Sequence, residues 1–306
     1  MKRKHIMKSP IMIAIGIVLL LYVAFIFILL FWGFFTALKS TQEGFNAFRH
    51  HEWGLPMGWP WQWEWSNFKE ILSWIYTIVT YKDATGSNIQ VKVGLPGMLV
   101  NTMMYTFVGA AVSTFIPCIV AYATAKTNFK FSVFYDAVIL AVMVIPIVGS
   151  QPSMLQVLNT LGLYDTWLGF MLQRAHTISV YYLIFQATYK SIPYSFSEAA
   201  YIEGAGELTV MLRVVMPLAR TLIITIFLIY FITEWNDYNT PLIYMPTHPS
   251  LAYGIYYLVF VNGANPISNA PMKMAGAYIL FTPMLLFFIC FRKLLMQNLS
   301  MGGVKE

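Results

Sequence analysis

Apolar residues in this chain run in long blocks set apart by polar stretches. Residues 11–35 hold 25 consecutive positions without a charge. A helix needs about 20 mostly apolar residues to cross the hydrocarbon of a bilayer. That length predicts spans near 12–35, 97–122, 132–150, 170–189, 218–238 and 272–292. The fourth carries Arg174 and His176 at its start, and the fifth opens on Arg220, whose stem can snorkel to the interface. The apolar region of a signal peptide is shorter, about 7–15 residues. No small-residue cleavage site follows Phe35, so the first block is expected to stay as a span.

Two stretches outside the spans have patterns of their own. In 40–96, Ile71, Trp74, Ile75, Ile78 and Val79 follow the spacing of an amphipathic helix. Asn67 with Glu70 three residues on fits a cap for its start. Asp83-Ala84-Thr85-Gly86-Ser87-Asn88 then reads as a turn. Trp53, Trp59, Trp61, Trp63, Trp65 and Trp74 crowd the same segment. They fit an interfacial aromatic belt, or a surface for an external partner or for sugar stacking. Residues 251–262 are too few to span and read as a re-entrant or surface helix, with loops at 247–249 and 262–266.

The second stretch is a polar island, SFSEAAYIEGAGELTVMLRVVMP, between the fourth and fifth blocks. Pro193 ends the preceding helix. Ser195 and Glu198 form S-x-x-E, the spacing of a capping box. A short helix is expected over 196–203. Gly204 and Gly206 let it stop and the backbone turn. Leu208, Leu212 and Val215 open a new apolar face, and Pro217 stands near the entry to span five.

Composition supports the membrane reading. The chain is 58% hydrophobic and 10% charged, against about 25% charged in soluble domains. The net charge of +6 is read as topology rather than as nucleic-acid binding. Lys2, Arg3, Lys4, Lys8, Lys126, Lys130, Lys190, Arg213, Arg220, Arg292, Lys293 and Lys305 fall on one side if both termini and the island are cytoplasmic. Cys118 and Cys290 lie in apolar stretches and make neither a disulfide framework nor a metal site. No glycine is followed by lysine, so the phosphate-cradling G-x-x-x-x-G-K-[ST] loop is absent. The sequence thus predicts no catalytic residue. Asn101, Gln186, Glu234, Trp235, Asn236 and Asp237 are candidates for a path or outer gate, since polar groups at membrane depth face a bundle interior or cavity. Glu234 and Asp237 equally fit the membrane interface. Tyr181, Tyr182 and Tyr189 are expected to pack.

Four patches carry a family resemblance. They are NTMMYTFVGAAVSTFIPCIVAYATAKTNFKF (101–131), EAAYIEGAGELTVMLRVVMPLA, TEWNDYNTPLIYM (233–245) and the tail LSMGGVKE. In the second, Glu198-Ala199-Ala200, then Gly204, then Pro217 thirteen residues further on, resembles the EAA loop. Together the patches resemble the carbohydrate-uptake branch of type I ABC importer permeases, on the side of the second maltose permease. Glu203 stands where that family usually has Asp, Gly303 where it has Ala, and segment 40–96 is long and Trp-rich for it.

The resemblance implies an all-α, six-helix, multi-pass protein of the bacterial cell membrane with both termini cytoplasmic. Residues 1–96 would be a first span plus the extracellular segment. Residues 97–306 would be the permease core, with a cytoplasmic coupling loop over 191–217. The expected partners are a second, homologous permease, two ATPase subunits, an extracellular solute-binding protein, membrane lipid and a carbohydrate substrate. ATP and Mg would bind the ATPases, leaving this chain without a cofactor of its own. Ser195, Glu198, Ala199, Ala200, Glu203, Gly204 and Pro217 would couple it to the ATPase, and 299–306 would reach the ATPase dimer. The competing reading is a secondary transporter driven by an ion gradient, which calls for inverted repeats or mid-span charges. A membrane scaffold or receptor is a third class.

Overall fold

The computed structural model describes residues 10–40, 60, 63–82, 88–127, 130–145, 149–261 and 269–299. Residues 83–87 of the turn expected over 83–88, the loop 262–266, Trp53, Trp59, Trp61 and the tail beyond Leu299 lie outside the described residues. The chain divides into two compact units, 1–75 with 257–282 and 76–256 with 283–306.

In the first unit, α1 (Pro10–Ala37) is apolar all round and exposed along most of its length. A helix of that kind is made for lipid or for another protein, not for water. α2 (Ser66–Trp74) is the next described helix. Asn67 does not cap it: the side chain is buried, and its amide donates 2.8 Å bonds to the Ala37 and Lys39 carbonyls. It thereby satisfies acceptors left open at the end of α1. Trp63 and Trp65 pack edge-on against Phe35 and Phe34 at 6.1 Å.

In the second unit the expected amphipathic helix is corrected. Helix ends at Trp74, and Ile78 and Val79 belong to β1 (Tyr76–Lys82), which pairs antiparallel with β2 (Asn88–Gly94), Tyr76 opposite Gly94 and Lys82 opposite Asn88. Thr77, Ile78, Val79, Thr80 and Tyr81 are β-branched or aromatic, and such residues favour a pleated strand. Burial alternates accordingly, with Thr77 and Val79 covered and Ile78 and Thr80 outward.

α3 (Leu95–Lys126) is the axis of this unit. Its buried face is lined with small residues, Gly109, Ala110, Ser113, Thr114, Cys118 and Ala121, which let other helices approach closely. α4 (Ser132–Val144) and α5 (Ser150–Thr160) follow. The expected fourth span is not continuous. It is split into α6 (Trp167–Arg174) and α7 (Val180–Ser191). Ser179 restarts the helix by accepting the Tyr182 amide, and Thr166 caps α6 in the same way.

Next come α8 (Ser195–Ile202), α9 (Glu207–Val210), a π-helical turn (Met211–Val215), α10 (Met216–Leu218) and α11 (Arg220–Trp235). α12 (Asn239–Ile243) and α13 (Leu251–Tyr256) lead to the last helix, α14 (Ala270–Leu299). Among the described residues, α1, α3 and 270–293 are long and apolar enough to cross a membrane. Residues 207–235 make a fourth only if counted across an 80° bend. Cores gather at both ends of α3. One holds Tyr105, Phe170, Tyr244 and Met245; the other holds Cys118, Tyr122, Tyr182, Tyr189 and Val215.

Candidate functional site

The polar island folds as an exposed helix closed by a glycine. Ile192 is extended, as a residue before proline must be, and this ends α7. Tyr194 is already helical, with φ −64° and ψ −24°, so α8 starts there. Ser195 consequently lies inside the first turn and the expected capping box does not form: no side chain caps this end. At the other end Gly204 takes φ +84°. The Ala205 amide donates to the Ala200 carbonyl and the Gly204 amide to the Tyr201 carbonyl, both at 2.9 Å. This is a Schellman closure, and its left-handed position is what glycine supplies.

Glu198, Ala199, Glu203 and Gly204 are exposed, Ala200 is half-buried, and Ser197 is buried beneath them. Tyr194, Phe196, Ile202 and Leu208 expose large apolar surfaces around the two carboxylates; Ile202 is 82% exposed. Behind the loop, Tyr201 Oη donates to Glu207. Burial first, and that bond next, hold the Tyr201 phenol above its usual range. Pro217 has no amide to give the preceding turn. The backbone there widens, with the Met216 amide reaching five residues back to the Met211 carbonyl. The 80° bend into α11 follows at Ala219.

The expected gate residues separate into two kinds. Glu234 and Asp237 meet Arg174 at the end of α6. Arg174 Nε lies 2.6 Å from Glu234 Oε1, and Nη2 donates to Glu234 Oε2 at 2.8 Å, Asp237 Oδ2 at 2.7 Å and Thr240 Oγ1 at 3.0 Å. Asp237 Oδ1 also accepts the Asn239 and Thr240 amides, capping α12. Glu234 is 4% exposed and lies flat on α3, where a Cβ at Gly109 would stand 2.9 Å from its Cδ. The other expected residues do not join. Asn101 Nδ2 donates to the Pro249 carbonyl at 3.1 Å, Trp235 is buried in the core, and Asn236 bonds back to Ile232. Gln186 belongs elsewhere, with Nε2 2.7 Å from both Asp136 carboxylate oxygens, beside Tyr182 Oη.

Sequence reasoning named Arg174 only as a blemish in the fourth span, and missed Thr240 and Asp136. The available signal was a lone arginine in an apolar block, because a charge at such depth requires a partner. Glu234 and Asp237, three apart at a helix end, were that partner. Among the described residues no group of three or more His, Cys, Asp or Glu is placed to hold a metal ion.

Residues 113–300 match the family described as binding-protein-dependent transport system inner membrane component. The trehalose transport system permease protein SugB of Mycobacterium tuberculosis (strain CDC 1551 / Oshkosh) is 23% identical over 210 residues, 68% of this chain and 76% of that protein. The melibiose/raffinose/stachyose import permease protein MelC of Bacillus subtilis (strain 168) is 25% identical over 216 residues, 70% and 78% of the two chains. A solved bacterial ABC transporter involved in the import of the acidic polysaccharide alginate has a chain of like fold, with a TM-score of 0.68 at 20% identity over 92% of this chain and 95% of that one.

Proposed function

The chain belongs to the family of binding-protein-dependent transport system inner membrane components, and we propose that it is the permease subunit of an ATP-driven importer of sugars or oligosaccharides. It crosses the bacterial cell membrane six times with both termini cytoplasmic, as the distribution of basic residues supports. A second permease shares the translocation path, two ATPase subunits bind ATP and Mg, and an external binding protein delivers the solute. The carbohydrate class is supported by relatives named for trehalose and for melibiose, raffinose and stachyose.

The observation that carries the reading is α8. It is a short exposed helix with two carboxylates, Glu198 and Glu203, inside a rim of bare apolar side chains, closed by a left-handed Gly204. Large apolar side chains left exposed together on a polar loop mark a protein interface. The ATPase docks there, Gly204 lets the two backbones approach, and movement of the ATPases is passed through the loop 191–217 into the bundle. Arg174, Glu234 and Asp237 hold the opposite end of the bundle together as structure, and charges so neutralised are not free to drive an ion-coupled cycle.

The test is co-purification of ATPase subunits with the tagged permease. Glu198→Arg and Gly204→Val should each abolish nucleotide-dependent coupling while the permease stays in the membrane. Coupling retained in both variants would remove the proposal.

A further inference from the structure

α8 reaches the bundle through a glycine turn. Gly204 has φ +84° and no atom within 4 Å of where a side chain would begin, so the turn itself is held there by backbone bonds alone. A side-chain bond across it adds to them. Tyr201 on the last turn of α8 donates its hydroxyl to Glu207 on the first turn of α9, six residues on and across the glycine. Ala200 and Ala205, the two ends of the Schellman bond, pack on the core that contains Tyr122 of α3. Tyr122 is 3% exposed. Its hydroxyl is buried and lies next to both Tyr201 and Glu207. On the other flank of the island, Lys126, one turn further along α3, donates to the Ile192 carbonyl where α7 ends. Both strands of the loop are therefore held to the last turn and a half of α3.

We propose that Tyr201 and Glu207, bonded across Gly204 and seated on Tyr122, are positioning residues that make α8 and α3 move as one body. The inference rests on the reading of α8 as the ATPase-docking helix. A glycine-hinged helix alone would swing when pushed and dissipate the displacement in the turn. With the turn bridged by a bond to a charged acceptor, which is stronger than a neutral one, the displacement goes into α3. The carboxylates at Glu198 and Glu203 then contact the partner, while that of Glu207, also exposed, is taken up by the bridge. The buried Tyr122 hydroxyl supplies a second donor beside Glu207, so that carboxylate keeps a phenolic neighbour if the turn shifts slightly.

The experiment places spin labels at Ser195→Cys on α8 and Val100→Cys near the far end of α3, in a Cys290→Ser background. Both label sites are exposed. The full transporter is purified in lipid nanodiscs, and the distance distribution is read without nucleotide and with ATP, Mg and vanadate. In the intact protein the distribution should be narrow and keep its width in both states. Tyr201→Phe and Glu207→Gln should each broaden it by roughly twofold, and the double variant should be no broader than either single, since the two act as one bond. Both substitutions keep shape and leave the exposed face of α8 unaltered, so ATPase capture should persist. Equal widths in all four proteins, or broadening that adds in the double variant, overturns the clasp. Absence of ATPase subunits from every preparation overturns the docking reading instead, and the nucleotide-free widths still decide the clasp.

Discussion

Near Gly109 of α3, Arg174, Glu234 and Asp237 are folded inward onto one another, and Glu234 is almost wholly covered. Thirteen residues along the same helix, about 20 Å at 1.5 Å per residue, the polar island does the reverse: Glu198 and Glu203 stand exposed among uncovered apolar side chains. At the first end the chain satisfies its own charges. At the second it leaves both charge and apolar surface unsatisfied, in a turn closed by backbone bonds. On the proposed reading, the difference separates what holds the fold from what awaits a partner. Substitutions at the first end should cost stability, and those at the second should cost association.

The largest effect is expected at Arg174. Removing it strands two carboxylates, one of them buried, and breaking a buried pair typically costs about 3–5 kcal/mol. Arg174→Leu should therefore lower the thermal unfolding midpoint of the detergent-solubilised permease more than any other single change named here. Arg174→Lys should recover only part, because one ammonium cannot serve Glu234, Asp237 and Thr240 with a planar fork. An unfolding midpoint unchanged in Arg174→Leu would show that the constellation does not hold the fold.

Gly109→Ala comes next. The added carbon would stand 2.9 Å from Glu234 Cδ and 3.0 Å from Phe170 Cζ. Glu234 is pinned by Arg174 and cannot step aside, so overpacking of about 1–3 kcal/mol follows. In an Arg174→Leu background the carboxylate is released and the same substitution should cost less. A double-mutant cycle on unfolding midpoints measures that coupling.

The two ends also differed in how far they could be read from the sequence. Gly204 was legible because a glycine stop is a local signal, and the spacing Glu198, Gly204, Pro217 placed it between two apolar blocks. The first, second and last spans were legible because length and apolarity sufficed. The Arg174 constellation was not, since its partners lie 60 and 63 residues away and no window on the chain contains both. Its effect on the chain was misread too. The block 170–189 has the composition of one span, but Arg174 ends α6 at its ion pair and Ser179 caps a new helix. Ile78 and Val79 failed for another reason: Ile71, Ile75 and Val79 lie four apart, which suits a helix as well as the alternate positions of a strand. The β-branched run decided the matter. Ser195 failed by one residue, because Tyr194 is already in helical geometry.

At Gly204 the two kinds of cost meet. The left-handed backbone penalises a side chain by about 1–2 kcal/mol, and nothing within 4 Å adds a clash. Gly204→Ala should thus lower the unfolding midpoint modestly, less than Gly109→Ala, while reducing ATPase capture. A variant that captures the ATPase at full strength would mean that backbone approach at this turn is dispensable.

The smallest effect on stability is expected at Ile202, and it is the most pointed test of the comparison. At 82% exposure its side chain contributes almost nothing to the folded chain, and surface changes of this type stay within about 0.5 kcal/mol. Covering an aliphatic side chain of this size at an interface contributes about 1.5–3 kcal/mol, which corresponds to roughly a tenfold or greater change in affinity. Ile202→Asn should accordingly leave the unfolding midpoint where it was and weaken ATPase capture by about that factor, measured by titrating the purified ATPase against permease in nanodiscs. Arg174→Leu in the same titration should lower the yield of folded permease and leave the affinity of the folded fraction unchanged. If Ile202→Asn instead unfolds the chain, or Arg174→Leu weakens capture by the folded fraction, then the division between an end that holds and an end that binds is wrong.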